Sequence, residues 1–167
     1  MIKNNKKMKI EKVVLSIGGM GDSLEKGFKL LKILTGRKPA KMKTSPNRRI
    51  PALGVKPNME VGAVVTIRKN IPEILKRMLV TIDNTLKKKQ MSENNFSFGI
   101  EEYIEIPGIE YQRDIGIRGL DVTVVFKRDG RRVRLKKIKR GKIPARQKIS
   151  KEEIIEFMEE NFQTKFI

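Results

Sequence analysis

The amino-acid sequence predicts an α+β protein with a single mixed or antiparallel sheet, helices packed on one face and the other face free. Four segments alternate apolar and polar residues with a period of two, which is typical of strands that bury one face. Three segments carry apolar residues at helical spacing. Their order along the 167 residues is β-α-β-α-β-β-α, which favours the α+β class over a repeated βαβ fold.

Each predicted strand separates an apolar side from a polar side. In residues 9–17, Ser16 lies opposite the apolar side chains. In residues 61–68, Thr66 and Arg68 do the same. The other two predicted strands are residues 96–106 and 120–127, and the second of these adds Thr123 and Lys127. The face free of helices therefore carries side chains that form hydrogen bonds.

Polar residues that suit N-caps predict where the first two helices begin. The first helix is predicted to begin at the cap Asp22 and to end at Gly36. The second is predicted to begin at the cap Asn70, with its apolar stripe continuing to Leu86. The predicted stripes are Leu24, Phe28, Leu31 and Leu34 in the first helix, and Leu75, Met78, Leu79, Ile82 and Leu86 in the second.

The length suits one domain, residues 1–167, built of a nearly neutral body with two basic segments. Residues 37–56 form a basic loop with seven bases and no acid, and residues 131–148 form a basic extension with ten bases and no acid. The rest of the chain has 21 bases against 19 acids, so these segments carry +17 of the net charge of +19. A helix at 150–162 follows, opened by a capping box of Ser150 and Glu153.

Acid-free segments of this density indicate a polyanionic partner, because binding phosphates relieves the repulsion between like charges. Pro and Gly interrupt both segments, which argues against an amphipathic helix on a membrane. No apolar run approaches the roughly 20 residues of a membrane span. The N-terminus lacks the apolar core of a secretory signal, so we expect a soluble intracellular protein.

The composition also excludes several kinds of chemistry. The chain has no Cys and no His, which excludes thiol catalysis, Ser–His catalysis and metal sites built on those residues. We therefore expect no catalytic residues, no metal, no cofactor and no small-molecule substrate. The glycines at 18–21 lack the spacing of a phosphate-binding loop and predict a tight turn.

Two further clusters have alternative interpretations. Four acids could form a magnesium-dependent nuclease centre, but their positions among apolar residues of a predicted strand favour solvent-side charges. These acids are Glu101, Glu102, Glu105 and Glu110. Phe96, Phe98 and Tyr103 could stack on single-stranded bases, although the alternation places both Phe residues in the core. The polar face and basic segments fit shape and phosphate recognition of folded RNA better.

Six ordered blocks of sequence resemble the family of large-subunit ribosomal protein five, in its archaeal-type branch. The blocks are residues 14–21, 34–39, 61–68, 95–102, 106–111 and 117–123, or VLSIGGMG, LTGRKP, VGAVVTIR, NFSFGIEE, IPGIEY and IRGLDVT. The extension 131–148, followed by ISKEEIIEF, resembles the archaeal rather than the bacterial members. The similarity covers nearly the whole chain.

The resemblance implies a binding surface for 5S rRNA on the sheet face opposite the helices. The family's RNA-contacting positions fall on Ser16, Arg37 and Thr66, with Lys38 and Arg68 beside them. Ser16 stands where Asn is usual and Arg37 where Gln is usual, so the individual hydrogen bonds differ from those of the family.

The resemblance also assigns the two basic segments. The loop between Pro39 and Gly54 reaches the peptidyl-site tRNA in the family, which implies a tRNA-contact loop here. Its bases are Lys43, Arg48, Arg49 and Lys56. The extension is expected to bind rRNA phosphates through Arg131, Arg132, Arg134, Lys136, Lys137, Lys139, Arg140, Lys142, Arg146 and Lys148.

The sequence therefore predicts a non-enzymatic structural constituent of the large ribosomal subunit, ribosome-bound in the cytoplasm. We expect it to anchor 5S rRNA in the central protuberance and to contact large-subunit rRNA, peptidyl-site tRNA and neighbouring ribosomal proteins. The alternative is a free-standing RNA-binding assembly factor or RNA chaperone that uses the same basic segments. A metal-dependent nuclease is the third class.

Overall fold

A computed structural model describes residues 8–167, and its fold is α+β with a mainly antiparallel sheet, as predicted. The strands are β1 (Lys9–Gly18), β2 (Ala40–Lys43), β3 (Glu60–Ile67), β4 (Thr85–Leu86), β5 (Met91–Ser92), β6 (Asn95–Ile100), β7 (Leu120–Lys127) and β8 (Lys165–Phe166). The helices are α1 (Asp22–Thr35), α2 (Ile71–Val80), α3 (Arg132–Leu135) and α4 (Lys151–Phe162). Six strands form one sheet in the order β2-β3-β1-β7-β6-β5, while β4 and β8 form a separate parallel pair.

Contacts along the chain define two compact units, each described by itself. The first unit comprises residues 14–67 and 99–122, and it holds α1, β2 and β3. The second unit comprises residues 1–13, 68–98 and 123–167, and it holds α2, α3 and α4.

In the first unit, α1 packs on β3 and on the adjoining end of β1. Gly27 is buried at the closest approach, where a Cβ atom on this residue would lie only 2.9 Å from Cγ2 of Ile17. The buried side chains of α1 are Leu24, Leu30 and Leu31, whereas Phe28 and Leu34 of the predicted stripe are only half-buried. The stripe is therefore shifted by part of a turn, because a glycine rather than an aromatic residue faces the strands.

In the second unit, aromatic rings fill the core between β6, β7 and α4. Phe96 lies 5.8 Å from Phe126, and Phe126 meets Phe157 of α4 edge-on at 5.7 Å between ring centroids. Phe96 and Phe98 are both buried, which places them in the core as the alternation predicted. The core also takes Leu75, Met78 and Leu79 of α2.

The strand alternation was predicted correctly in β1, β3 and β7. In β3 the odd-numbered residues from Ala63 to Ile67 are buried, while Val64 and Thr66 are half-buried on the opposite side. The predicted bounds of 120–127 for the fourth strand coincide with β7. The segment predicted at 96–106 is shorter as a strand, because β6 ends at Ile100 and a 3-10 turn follows at Tyr103–Glu105.

Two of the three predicted helix caps were wrong. Asp22 is the first residue of α1, whose N-cap is Gly21 with a φ of 56°, and no side chain caps the helix. Asn70 is the N-cap residue of α2, but it adopts the left-handed region with a φ of 55° and makes no side-chain cap bond. At Ser150 the predicted capping box is present, since its hydroxyl accepts from the Glu153 amide and Glu153 accepts from the Ser150 amide.

The predicted end of the second helix was also wrong. α2 ends at Val80, and Leu86 belongs to β4, which pairs in parallel with β8 near the C-terminus. Leu86 is still buried, so its apolar character is used in a strand instead of a helix. The basic loop likewise contains a strand that the sequence did not predict, because β2 pairs antiparallel with β3 over Ala40–Lys43.

Candidate nucleic-acid interface

Small polar side chains occupy the side of β1 and β3 that faces away from the core of the first unit. Ser16 is half-buried between the buried residues Leu15 and Ile17. Thr66 is half-buried between Val65 and Ile67 on the neighbouring strand. Since side chains alternate along a strand, both hydroxyl groups lie on the side opposite α1. The structure thus brings these two predicted residues to one face.

The other residues predicted for this site are exposed bases. Arg37 and Lys38 follow Gly36, whose left-handed conformation, with a φ of 63°, ends α1. The Arg37 amide donates to the hydroxyl of Thr35 at 3.3 Å, which orients the backbone leaving the helix. Arg68 is exposed and directly follows β3 along the chain.

The predicted tRNA-contact loop is an ordered hairpin extension of β2 and β3, and Thr44 closes its base. The hydroxyl of Thr44 donates to the carbonyl of Lys56 at 2.8 Å and accepts from the Met59 amide at 3.0 Å. Nearer the tip, Ile50 and Val55 exchange two backbone hydrogen bonds of 3.1 Å. We call residues 44–59 the basic hairpin.

Exposed bases line the basic hairpin, but Lys43 at its base differs from the others. Arg48, Arg49 and Lys56 are exposed and have no carboxylate partner within the described part of the chain. Lys43 lies 3.9 Å from Glu60, a carboxylate that also binds Lys41 at 2.9 Å. This hydrogen bond from Lys41 lowers the pKa of Glu60 and raises the pKa of Lys41. Lys43 is therefore partly neutralised.

The basic extension is anchored at both ends by ion pairs within the second unit. Arg131 pairs with Glu11 of β1 at one end. At the other end Lys148 donates to Glu93 at 2.8 Å, and this hydrogen bond lowers the pKa of Glu93. Two of the ten predicted phosphate-binding bases thus have carboxylate partners in the protein itself.

Asn94 joins the two chain segments that flank the basic extension. Its carbonyl accepts from the amide of Phe126 at 2.8 Å, before the extension begins. Its side-chain oxygen accepts from the amide of Ile149 at 3.0 Å, just after the extension ends. The basic extension is therefore a loop whose two ends meet at one residue.

Most remaining bases of the extension are exposed to solvent. Arg132 and Arg134 lie on the single turn of α3, and Arg140 donates to the carbonyl of Lys136 at 3.4 Å. The exposed bases beyond these are Lys136, Lys137, Lys139 and Lys142. The side chain of Arg146 lies outside what the structure describes. A cavity of about 640 Å³ opens between the extension and the end of β7, with Arg134 and Lys142 among its lining residues.

Sequence reasoning missed a cleft in the first unit, at the adjoining ends of β1, β6 and β7. Its volume is about 290 Å³, and Ser16 is one of its lining residues. Gly18 and Gly99 expose backbone there, and Asp121 and Glu101 contribute carboxylates. The available signal was the pair of glycines on the polar side of two predicted strands.

Tyr103 is also placed differently from the sequence interpretation. It is fully buried, and its hydroxyl accepts from the Gln112 amide at 3.0 Å. The ring therefore supports the loop before β7 and is not available to stack on a base.

These features define a class of protein: an α+β body that presents a polar strand surface and two dense basic segments to a polyanion. Within residues 8–167, no cluster of three metal-ligating side chains occurs. No helix of that described range is long and apolar enough to cross a membrane.

Comparison with known proteins identifies the family. Residues 60–162 match the C-terminus of the uL5 family of ribosomal proteins. The protein called "Large ribosomal subunit protein uL5" from Nanoarchaeum equitans is 39% identical over 166 residues, which covers 97% of each chain. Proteins of the same name are 38% identical in Sulfurisphaera tokodaii, over 97% of this chain and 93% of that one, and in Methanococcus vannielii, over 94% and 90%.

The chain belongs to the uL5 family of ribosomal proteins and is of the archaeal type. Members of this family are structural components of the ribosome, not enzymes, which confirms the predicted absence of catalysis. The same finding excludes the nuclease interpretation of the acids around Glu101. A ribosome-bound protein with rRNA and ribosomal proteins as partners follows from this membership.

Proposed function

We propose that this protein binds 5S rRNA through the polar side of β1 and β3 and anchors it in the central protuberance of the large subunit in the cytoplasm. Ser16 and Thr66 would supply hydroxyl groups to the RNA, and Arg37, Lys38 and Arg68 would contact its phosphates. In this proposal the whole chain acts as one RNA-binding domain, next to neighbouring ribosomal proteins. Family membership favours this role over that of a free-standing assembly factor.

The observation that carries the proposal is the pairing of Ser16 and Thr66 on one side of neighbouring strands. Short hydroxyl side chains leave the strand surface low enough for a sugar–phosphate backbone to approach. Hydroxyl groups both donate and accept hydrogen bonds, so they suit 2′-hydroxyls and base edges, which present both kinds of group.

The two basic segments would have separate roles. The exposed bases of the extension would neutralise phosphates of large-subunit rRNA, a contact that does not depend on sequence. The basic hairpin would reach peptidyl-site tRNA through Arg48, Arg49 and Lys56. Its backbone bonds at Thr44 and Ile50 hold these bases on a defined support.

Thr66→Arg tests the 5S rRNA surface. The Thr66 side chain points away from the core, so the variant should fold with an unchanged circular dichroism spectrum. The long side chain would stand where the RNA approaches, and we expect the dissociation constant for 5S rRNA to rise by at least roughly tenfold. Thr81→Arg is the matched control, since Thr81 is also half-buried but follows α2.

The control adds the same positive charge, so it isolates the steric effect from the electrostatic one. Normal binding of 5S rRNA by Thr66→Arg would place the RNA on another surface. A second arm replaces both Arg48 and Arg49 by Ala. That variant should bind 5S rRNA and enter ribosomes but hold peptidyl-site tRNA several-fold less tightly, because exposed charge contacts are screened. Loss of 5S rRNA binding instead would make the basic hairpin part of the 5S rRNA surface.

A further inference from the structure

The cleft at the adjoining ends of β1, β6 and β7 has a floor of exposed backbone. Gly18 has no heavy atom within 4 Å of the position a Cβ would take. At Gly99 such a Cβ would lie 3.6 Å from Oδ1 of Asp121. The carboxylate of Asp121 therefore stands beside the bare backbone of Gly99, and Ser16 lines the same cleft.

Asp121 is exposed, and its carboxylate has no ion pair or side-chain hydrogen bond with any other residue in the range 8–167. A free carboxylate on a surface that faces RNA repels phosphates, which makes it costly unless it receives hydrogen bonds from the ligand. A carboxylate at neutral pH only accepts hydrogen bonds. The matching groups on RNA are the N–H donors of the bases.

We propose that Asp121 recognises the Watson–Crick edge of an unpaired guanine in this cleft. Guanine is the base that presents two adjacent donors there, N1–H and the N2 amino group, and a carboxylate can accept both at once. The amino groups of adenine and cytosine offer a donor next to an acceptor, which would face the second carboxylate oxygen. Bases that are splayed out of a helix are read on this edge in RNA–protein complexes.

The glycines have a role in this recognition. A side chain at residue 99 longer than a methyl group would cover the carboxylate, and one at residue 18 would narrow the cleft beside it. Bare backbone at both positions lets a planar base lie against the sheet. Ser16 lines the same cleft, so the guanine would bind next to the proposed hydroxyl contact.

This inference rests on the proposed binding of 5S rRNA, and the experiment separates the two. The dissociation constant for 5S rRNA is measured at one salt concentration for the wild type, Asp121→Asn and the control Asp114→Asn. Asp114 is exposed in the loop before β7, so both variants remove one negative charge. Failure of the wild type to bind 5S rRNA would refute the proposed function itself.

The sign of the effect decides the inference. Removal of a negative charge should tighten RNA binding if electrostatics alone operates. We expect Asp121→Asn to bind roughly tenfold or more weakly, because Asn replaces one acceptor of the bidentate pair by a donor. Asp114→Asn should bind as well as the wild type or slightly better. Equal or tighter binding by Asp121→Asn would overturn the proposal.

Two further measurements identify the contact. Inosine lacks the N2 amino group, so it is placed singly at each unpaired guanosine of 5S rRNA. One position should weaken binding to the wild type and leave binding to Asp121→Asn unchanged, which would mark the two groups as coupled. Gly99→Leu should also weaken binding, because it covers the carboxylate while keeping its charge.

A magnesium ion held by Asp121 and Glu101 is the competing explanation. In that case the difference between the wild type and Asp121→Asn would vanish when Mg²⁺ is replaced by spermidine, and the proposal would fail. The proposal would fail equally if no single inosine changed the affinity of the wild type.

Discussion

At the scale of single residues, Gly27 sets how closely α1 approaches the strands of the first unit. Alanine has a better helix propensity than glycine, by about 1 kcal/mol in a helix interior. At this position, however, the added methyl group would lie 2.9 Å from Cγ2 of the buried Ile17. Helix propensity and packing therefore oppose each other at this residue.

We expect packing to dominate, so that Gly27→Ala lowers the free energy of unfolding. Overpacking a buried site costs about 1–3 kcal/mol, which exceeds the gain in propensity. The measurement is the urea midpoint at constant m value. Gly99→Ala is the control, because its methyl group would lie at an ordinary 3.6 Å from the nearest atom. A higher urea midpoint for Gly27→Ala would mean that the helix moves freely away from Ile17.

The residue scale also shows why the predicted caps succeeded or failed. Ser150 caps α4 through hydrogen bonds to Glu153 that involve only four consecutive residues, so the local sequence determines them. Glu153 also pairs with Arg128, which reinforces the same start. At α1 a glycine with positive φ takes the N-cap position instead, and Asp22 begins the helix without capping it. Sequence spacing did not distinguish these two cases.

At the scale of elements, the bases of the extension fall into two groups. Arg131 and Lys148 pair with carboxylates of the protein, whereas Arg134 and Lys142 line the cavity beneath the extension and have no carboxylate partner within residues 8–167. Only the second group is fully available to neutralise phosphates. The distinction is invisible in the sequence, where all ten bases look alike.

We expect the two groups to differ in the salt dependence of RNA binding. Replacing Arg134 and Lys142 by Ala should reduce the slope of log K against log salt by about 1.4–1.8 for an RNA duplex, since each phosphate contact contributes roughly 0.7–0.9. Replacing Arg131 and Lys148 by Ala is the matched control with the same change in charge, and it should reduce the slope by less. Equal reductions would show that RNA displaces the acidic partners.

The elements themselves were predictable where their contacts are local. Alternation gave the bounds of β7 and the buried sides of β1 and β3, because one face of each strand packs on a core. Leu86 continued a helical spacing, yet it lies in β4, whose partner β8 is about 80 residues away along the chain. Pairings of that kind depend on the complete fold, and so does the pairing of β2 with β3.

At the scale of the whole molecule, the net charge of +19 makes the few carboxylates important for stability. The pKa values of Glu60 and Glu93 are lowered by hydrogen bonds from Lys41 and Lys148. A lowered pKa in the folded state stabilises the fold above the ordinary carboxyl pKa, about 4.3 for Glu. That contribution is lost as the pH falls through the lowered values.

We therefore expect a difference in acid stability between the wild type and the double variant Glu60→Gln, Glu93→Gln. The variant should have a slightly lower melting temperature at pH 7, and the two curves should converge below the ordinary carboxyl pKa. The difference should be small because both pairs are exposed. At high pH the raised pKa of Lys41 keeps its pair intact until the pH exceeds that raised value. A difference that stays constant down to pH 3 would mean that the carboxylate charges do not contribute.

The candidate interface shows the same division between local and non-local information. The polar positions Ser16 and Thr66 followed from alternation, and the charge of both segments followed from composition. The cleft around Asp121 did not, because three strands from distant parts of the chain meet there. Neither did the ion pairs that anchor the extension, since Glu11 and Glu93 lie far from it in sequence.

The closure of the basic extension at Asn94 has a consequence for how its length can change. Phe126 and Ile149 are both bonded to Asn94, so the chain between them starts and finishes at the same place. Residues can be added or removed there without altering the distance that the chain must span, and lengthening such a loop costs little entropy. Insertions and deletions in this stretch are thus decoupled from the register of the sheet, which leaves its length free to follow the RNA it meets.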